Sequence, residues 1–319
     1  MLFTSLWVID VVMIEAVIIC PVYLFILFDI HFCRRKRCVF TNSYHTLVLS
    51  QGLADILSIA AIMSILLPKY FFIGVPLLIS LQKYGTAFLI SNAGPFTFLV
   101  RMFGIFMITC QRFIAVSWPY HKLNKKIEAI HPMILVAVHW LFPGIVYLPA
   151  FIMSNAYLVN SDSFILIISE SHLKAFSVIV ITFFSTLLLP IVFMYLSILR
   201  ILFENRRVEQ NSMSHSPMRH RALRNREFRL AAHVFLLFVM SILVSAYYWL
   251  TYFAADDFTV NALNSVRLYY SLLSSNFSYI NPLSLLTLDR DVRRRIVSWS
   301  CCSKVAGACT KSSERTISS

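Results

Sequence analysis

The 319-residue chain has little charge and little glycine. Asp, Glu, Lys and Arg make up 13% of the residues, about half the share found in a globular domain, and there are 7 Gly. Hydrophobic residues make up 58% of the chain, and the mean hydropathy is +0.73. These proportions exclude a water-soluble fold, because too few polar side chains are present to cover its surface. They indicate that lipid surrounds most of the chain.

Signatures of catalysis are also missing. The 9 His show no metal-ligand spacing, and the chain has neither a Gly-rich phosphate loop nor a nucleophile elbow. Residues 230–302 contain no Lys, so the last apolar stretch offers no amine for a retinal Schiff base. We therefore expect no enzyme activity, no metal and no cofactor.

The basic residues follow the pattern of a membrane protein. A net charge of +13 would suit a nucleic-acid-binding protein, but the Lys and Arg lie in short bursts between long apolar runs and not on one continuous face. We therefore expect membrane lipids, and no nucleic acid, among the partners.

Seven stretches are apolar and long enough to cross about 30 Å of hydrocarbon as helices, which takes about 20 residues. They cover residues 7–31, 44–67, 86–114, 131–153, 173–203, 230–254 and 264–288. The apolar stretch 70–81 is too short to cross, and Pro68, Gly74 and Pro76 favour a loop near the interface. An eighth span is the alternative there. The predicted fold is an all-α bundle of seven transmembrane helices within one domain, residues 1–303.

The distribution of Lys and Arg predicts the orientation, since short cytoplasmic loops retain these residues. Most of the 28 lie in the connections after the first, third and fifth spans and in the tail. The opposite side carries only Lys69, Lys83 and Lys174. We therefore expect the N-terminus outside and the C-terminus in the cytoplasm, which requires an odd number of spans.

None of the 7 Cys lies in a predicted outer loop, so we expect no structural disulfide. Apolar residues recur at helical spacing in residues 289–300, beside a run of three Arg, and Cys301 and Cys302 follow. The pattern indicates a short interfacial C-terminal helix with both cysteines palmitoylated. An unmodified, frayed tail is the alternative. Residues 304–319 are expected to form a disordered cytoplasmic tail.

The order of several residues on these spans resembles the rhodopsin-like G-protein-coupled receptors. The carrying residues are Asp55 in the second span, Cys110-Gln111-Arg112-Phe113 ending the third, Trp140 in the fourth, Pro190 in the fifth and Asn281-Pro282 in the seventh. Within that group the chain is most similar to nematode serpentine chemoreceptors of the class gamma and class V group. The segments that carry this likeness are residues 40–44, 51–56, 67–71 and 291–293, with 111–113 and 281–282.

The resemblance implies a chemosensory receptor of the plasma membrane. Such a receptor binds a small extracellular molecule, an odorant or pheromone, and activates a heterotrimeric G protein. Residues with roles in coupling and activation would be Gln111, Arg112, Phe113, Asn281 and Pro282. A transporter or ligand-gated channel with seven spans is the alternative function, although the unequal spans show no inverted repeat.

The chain also departs from the rhodopsin-like pattern. Gln111 stands where an acidic residue usually pairs with the neighbouring Arg, so Arg112 loses a local ionic restraint. The sixth span has no Pro, and no Tyr lies three residues after Pro282. The switch mechanisms of better-known receptors should therefore not be transferred to this chain.

Two charges are predicted at nearly the same depth inside the bilayer. Each costs roughly 2.5–3.5 kcal/mol to insert, so each is a candidate for function. Arg101 lies eleven residues before Arg112, and Asp55 lies eleven residues after Tyr44 at the inner end of the second span. In the related receptors this region holds a sodium ion, and we predict that an Asp55–Arg101 ion pair replaces it. An Arg that snorkels or bonds to carbonyls is the alternative.

The outer halves of the last two spans contain the candidate ligand pocket. Arg267 lies toward the outer mouth and could contact an anionic group of a ligand. The aromatic candidates beside it are Tyr248, Trp249, Tyr252 and Tyr270. Tyr and Trp also collect at headgroup depth, so an interfacial belt is the alternative for part of this set.

Overall fold

A computed structural model of the chain describes residues 3–36, 43–118, 121–154, 156–160, 164–211, 232, 235–253 and 260–288. Within these residues the fold is a set of helices with one β-hairpin. The long helices are α1 Phe3–Lys36, α2 Ser43–Phe71, α4 Thr86–Ser117, α6 Pro132–Ile152, α7 Glu170–Asn211, α8 Phe235–Phe253 and α9 Val260–Leu288. The short elements are α3 Val75–Ser80, a 3-10 turn Leu81–Tyr84, α5 Lys122–Glu128, β1 Ala156–Asn160 and β2 Phe164–Ile168.

Six of the described helices are long and apolar enough to cross a membrane. These are α1, α2, α4, α6, α7 and α8, and they overlap the first six predicted stretches. α9 overlaps the seventh stretch and has 29 residues, but it is not among the six. Its sequence is rich in Ser, Asn and Tyr, which lowers its average hydropathy.

Several helices extend beyond the apolar stretches that predicted them. α1 has 34 residues and α7 has 42, against 25 and 31 residues in their apolar parts. The hydrocarbon thickness sets only a minimum length for a crossing helix. The backbone can continue as helix into the polar region, where water and charged side chains replace lipid.

The predicted loop over residues 70–81 is wrong, because most of this segment is helical. α2 runs through Pro68 to Phe71, and α3 begins directly after Gly74. Pro76 lies in the first turn of α3, where a missing N–H donor costs nothing. Gly74 and Gly85 have φ of 75° and 84°, a conformation that glycine adopts at little cost, and they precede α3 and α4.

An antiparallel hairpin joins α6 to α7 and was not predicted from the sequence. β1 pairs with β2 from Ala156 opposite Ile168 to Asn160 opposite Phe164. Leu158 is 6% exposed and packs with Val75 and Ala87, so the hairpin lies against α3 and the start of α4. Tyr157, on the other face of β1, is 47% exposed. The two strands are nearly continuous apolar runs in the sequence, so a period of two was not visible there.

α4 is the central helix of the fold. Five consecutive residues, Phe98 to Met102, are all 0% exposed. Five residues cover more than one full helical turn, so protein surrounds α4 on every side at this level. α2, α6 and α7 contact it directly. The one charged side chain in this run, Arg101, is therefore held away from both lipid and water.

Candidate functional site

A hydrogen-bonded cluster surrounds Asp55 between α1, α2 and α9. The Tyr23 hydroxyl donates to Asp55 Oδ2 over 2.6 Å, and Asn281 Nδ2 donates to the same oxygen over 3.0 Å. Asn281 Nδ2 also lies 2.9 Å from the Tyr23 hydroxyl oxygen. All three side chains are at most 2% exposed. The carboxylate is thus stabilised by two donors from helices distant in sequence, which offsets part of its desolvation.

Arg101 extends from α4 to α9. Its guanidinium nitrogens donate to Ser278 Oγ over 2.8 Å and to Ser274 Oγ over 2.9 Å. Its Cζ lies 4.5 Å from the centre of the Phe277 ring, within range of a cation–π interaction. The nearest approach to Asp55 is 3.8 Å, from Nη1 to Oδ1. The two opposite charges are therefore close, but the direct hydrogen bonds of Arg101 go to serines.

We name the set Tyr23, Asp55, Arg101, Ser274, Ser278 and Asn281 the central polar cluster. It joins α1, α2, α4 and α9 through side chains that are 0–2% exposed. The sequence singled out Asp55, Arg101 and Asn281 but not Tyr23 or the two serines. Ser274 and Ser278 lie one helical turn apart on α9, so a spacing of four between small polar residues was the available signal.

A second polar network lies beside α4, where α2 and α6 meet it. His139 Nε2 donates to the Val100 carbonyl over 2.9 Å, since a carbonyl oxygen can only accept. Trp140 Nε1 donates to Ser50 Oγ over 2.9 Å, and this hydroxyl lies 2.7 Å from His139 Nδ1. The Ser50 proton is therefore directed to Nδ1, which fixes His139 as the neutral Nε2–H tautomer.

The predicted ligand-pocket residues occupy different environments. Tyr248 is 1% exposed, and its hydroxyl donates to the Tyr270 hydroxyl over 3.2 Å. Trp249 is 42% exposed, and its ring stacks on Phe253 at 5.7 Å. Tyr252 is partly buried against the main core. The structure thus brings Tyr248 and Tyr270 together and directs Trp249 outward, because consecutive helix residues point about 100° apart.

Other aromatic rings complete the surroundings of Tyr248. The rings of Phe98 on α4 and Phe176 on α7 lie 5.4 Å and 6.1 Å from it. Tyr247 packs 4.8 Å from Tyr270. We call these five residues the aromatic cluster: Phe98, Phe176, Tyr247, Tyr248 and Tyr270. Arg267 lies within α9, but the side chain of Arg267 lies outside the described part of the structure.

Asn92 links α4 to α6 near the hairpin. Its Nδ2 donates to Ser154 Oγ and to the Phe88 carbonyl, each over 2.8 Å. Its Oδ1 accepts from the Tyr147 hydroxyl over 3.1 Å, and Tyr147 is 0% exposed. The amide thus has partners on both sides and holds the end of α6 against α4.

Replacing Tyr147 by Phe is expected to lower the free energy of unfolding by about 1–2 kcal/mol. The change keeps the ring but leaves the buried Asn92 Oδ1 without its donor. Thermal unfolding of the purified protein in detergent measures the loss. Tyr157→Phe is the matched control, because Tyr157 is 47% exposed and its change should have almost no effect. Equal effects of the two changes would contradict the role given to the Tyr147 hydroxyl.

At the C-terminal end of α4, the three residues of the Gln-Arg-Phe motif contact four other residues. Gln111 Nε2 donates to Ser43 Oγ at the start of α2. Arg112 Cζ lies 3.9 Å from the centre of the Tyr44 ring. The Phe113 ring lies 5.8 Å from Trp118 and 6.4 Å from Phe193 of α7. The motif therefore joins the C-terminal end of α4 to the first turn of α2 and to the middle of α7.

A comparison with protein-family models gives one match over most of the chain. The model described as serpentine type 7TM GPCR chemoreceptor Srv matches residues 12–302. The chain belongs to this family. A search of curated proteins finds no match. The resemblance to nematode serpentine chemoreceptors drawn from the sequence is thereby confirmed. The family is one of 7TM chemoreceptors, which are typically non-enzymatic.

The region matched by the chemoreceptor family contains every residue of the central polar cluster, the aromatic cluster and the Gln-Arg-Phe motif. Pro282 lies within α9 and is buried, next to Asn281. Cys20 and Cys110 carry free thiols. Cys301 and Cys302, the predicted interfacial helix 289–300 and the tail 304–319 lie outside the described residues.

Proposed function

We propose that this chemoreceptor is a seven-span receptor of the plasma membrane that binds a small extracellular molecule and activates a heterotrimeric G protein. The observation that carries the proposal is the match to a family of 7TM chemoreceptors over residues 12–302. The arrangement of the helices supports it. A buried polar cluster joins four helices at the centre, aromatic residues gather on one side of it, and the Arg112 motif lies on the other.

α9 is the proposed seventh span. Its 29 residues extend about 44 Å at 1.5 Å per residue, which exceeds the hydrocarbon thickness. α9 buries several of its polar residues, since Ser274, Ser275, Ser278 and Asn281 are 0–2% exposed. A polar side chain that faces the bundle interior is compatible with a crossing helix. The polar composition of α9, which keeps it out of the six apolar helices, therefore supports its position inside the bundle.

The proposed orientation has the N-terminus outside and the C-terminus in the cytoplasm. It follows from the excess of Lys and Arg in the connections that would be cytoplasmic. This orientation puts Arg112, Gln111 and Phe113 at the inner end of α4. A G protein would bind there and to residues 204–228, the segment between the fifth and sixth predicted spans, which contains six Arg. Asn281 and Pro282 would transmit the conformational change caused by ligand binding along α9. Palmitoylation of Cys301 and Cys302 would anchor the chain that follows.

The aromatic cluster is the proposed ligand site. Phe98, Phe176, Tyr247, Tyr248 and Tyr270 belong to α4, α7, α8 and α9, so a molecule bound among them contacts four helices at once. Such a molecule shifts the equilibrium toward the conformation in which these helices fit it better. A mostly apolar site with a few hydroxyl groups suits a small, weakly polar ligand.

Screening small-molecule extracts against the expressed receptor with a G-protein readout tests the proposal. For an active molecule, Tyr248→Leu is expected to weaken the response at least roughly tenfold, since an aromatic residue at the centre of a site contributes a large share of affinity. The matched control is Trp249→Leu, which changes the adjacent, 42% exposed ring and should leave the response nearly unchanged.

Two results would contradict the proposed function. Equal sensitivity at positions 248 and 249 would place the ligand elsewhere. Ligand-evoked current or transport that persists without any G protein would favour the transporter or channel.

A further inference from the structure

Arg112 faces the ring of Tyr44 at the inner end of the bundle. The guanidinium carbon lies 3.9 Å from the ring centre. The charge therefore lies well inside the distance of about 6 Å at which an aromatic face attracts a cation. The ring belongs to the first turn of α2 and the guanidinium to the last turns of α4. This contact thus joins two helices and not two neighbours in sequence.

The surroundings of this contact strengthen it. Tyr44 is 4% exposed, so water has little access to the ring. A desolvated cation–π contact is stronger than an exposed one. The ring is also held in place, because it contacts the His45 ring edge-on at 5.3 Å and belongs to the main hydrophobic core. The aromatic face is therefore preorganised for the guanidinium.

The neighbouring position explains why an aromatic partner has a role here. Gln111 is neutral, so it offers no charge to Arg112. Its amide instead donates to Ser43, the residue before Tyr44. Two consecutive residues of α4 thus contact two consecutive residues of α2. Arg112 and Tyr44 make further contacts as well, so the ring biases the orientation of the guanidinium and does not fix it alone.

We propose that Tyr44 is a positioning residue that holds Arg112 in the resting conformation through the face of its ring. Loss of the ring face frees the guanidinium and favours separation of the inner ends of α4 and α7. The role of Arg112 in signalling rests on the proposed function, whereas the restraint by Tyr44 is a property of the fold. The two are therefore tested with separate readouts.

Cys110 supplies a readout that needs no G protein. Its Sγ lies 3.4 Å from Met194 Sδ on α7, so the thiol is partly covered by the helix expected to move away. The full-length receptor is purified with its other six cysteines replaced by Ser. The rate at which N-ethylmaleimide alkylates Cys110 then reports how often α4 and α7 separate.

The decisive variants change the charge distribution of the ring and keep its shape. Position 44 is replaced by Phe and by phenylalanines carrying one to five fluorine atoms, which progressively weaken the negative face. Tyr44→Phe should label at the wild-type rate. The pentafluorinated ring and Tyr44→Leu should label about 2- to 30-fold faster, the range that corresponds to a cation–π contact of this kind. Adding Gln111→Glu should return the rate toward the wild-type value, because the new carboxylate restrains Arg112.

Labelling at the same rate for Phe and pentafluorophenylalanine would overturn the proposal, even if Tyr44→Leu labels faster, since only packing would then be involved. Nucleotide exchange on a purified G protein without any ligand is measured on the same variants. If labelling follows the fluorine series but exchange does not, the restraint by Tyr44 stands and the proposed G-protein function fails.

Discussion

Asp55→Ala is expected to destabilise the receptor by about 3–5 kcal/mol. The change leaves the guanidinium of Arg101, which is 0% exposed, without its opposite charge 3.8 Å away. An uncompensated charge in a protein interior costs this amount, and the surrounding lipid offers no water in exchange. Tyr23 and Asn281 lose their shared acceptor at the same time. Thermal unfolding in detergent and antibody detection at the cell surface both measure the effect.

Two further variants separate charge from hydrogen bonding. Asp55→Asn keeps an oxygen for Tyr23 but removes the charge, so it should cost nearly as much as Asp55→Ala if the charge dominates. Arg101→Leu combined with Asp55→Ala removes both charges and should recover part of the stability. Asp10→Ala is the control, because Asp10 is exposed on α1 and its change should stay within about 0.5 kcal/mol.

Additivity would refute this interpretation. If the double variant loses the sum of the two single losses to within about 0.5 kcal/mol, Asp55 and Arg101 do not stabilise each other. Arg101 would then be held by its contacts with Ser274, Phe277 and Ser278 and not by Asp55, and its replacement of a sodium ion would lose its support.

Gly104→Ala is expected to cost about 2–4 kcal/mol. A Cβ at this position would lie 2.0 Å from Gln51 Oε1 and 2.6 Å from His139 Nε2. The Gln51 side chain is 1% exposed and donates to the Arg101 carbonyl over 3.3 Å. The His139 ring is held by Ser50 and the Val100 carbonyl on opposite sides. The ring cannot shift without losing a buried hydrogen bond. The cost therefore combines overpacking with an unsatisfied polar group.

Gly144→Ala is the matched control on α6. Its Cβ would meet only Phe96, at an ordinary contact distance of 3.9 Å. Alanine is favoured over glycine within a helix by roughly 0.5–1 kcal/mol, so this change should be neutral or stabilising. Adding His139→Ala to Gly104→Ala should restore part of the lost stability by making room. If both glycine changes shift the unfolding midpoint in the same direction, the close approach at Gly104 is not significant.

Part of the central polar cluster could be predicted because charged residues are conspicuous in apolar sequence. A charged side chain such as Asp55 or Arg101 is costly whenever it faces lipid, so its presence in an apolar helix indicates that it faces the bundle interior. Tyr23, Ser274 and Ser278 are neutral residues that are common in transmembrane helices. Only the approach of α1 and α9 to α2 and α4 gives them partners, and one sequence contains no record of that approach.

Helix packing, which the sequence does not show, also explains which other residues the sequence failed to predict. Tyr248 and Trp249 are neighbours with equal aromatic character, but the rotation of α8 buries one and exposes the other. Tyr44 carries no sign of its contact with Arg112, which depends on the distance between α2 and α4. The hairpin 156–168 was missed because its strands are short apolar runs beside longer helical ones.

The sequence by itself determined that the chain lies in a membrane, the position of six spans and the receptor family. The membrane location and the spans depend on the transfer of each segment from water to lipid, which is a sum over local composition. The family was recognised from short motifs on those spans. The tertiary structure alone decided which side chains meet, including the serines on Arg101 and the ring on Arg112. Such contacts depend on the rotation and depth of each helix against its neighbours, and packing of the whole bundle sets both.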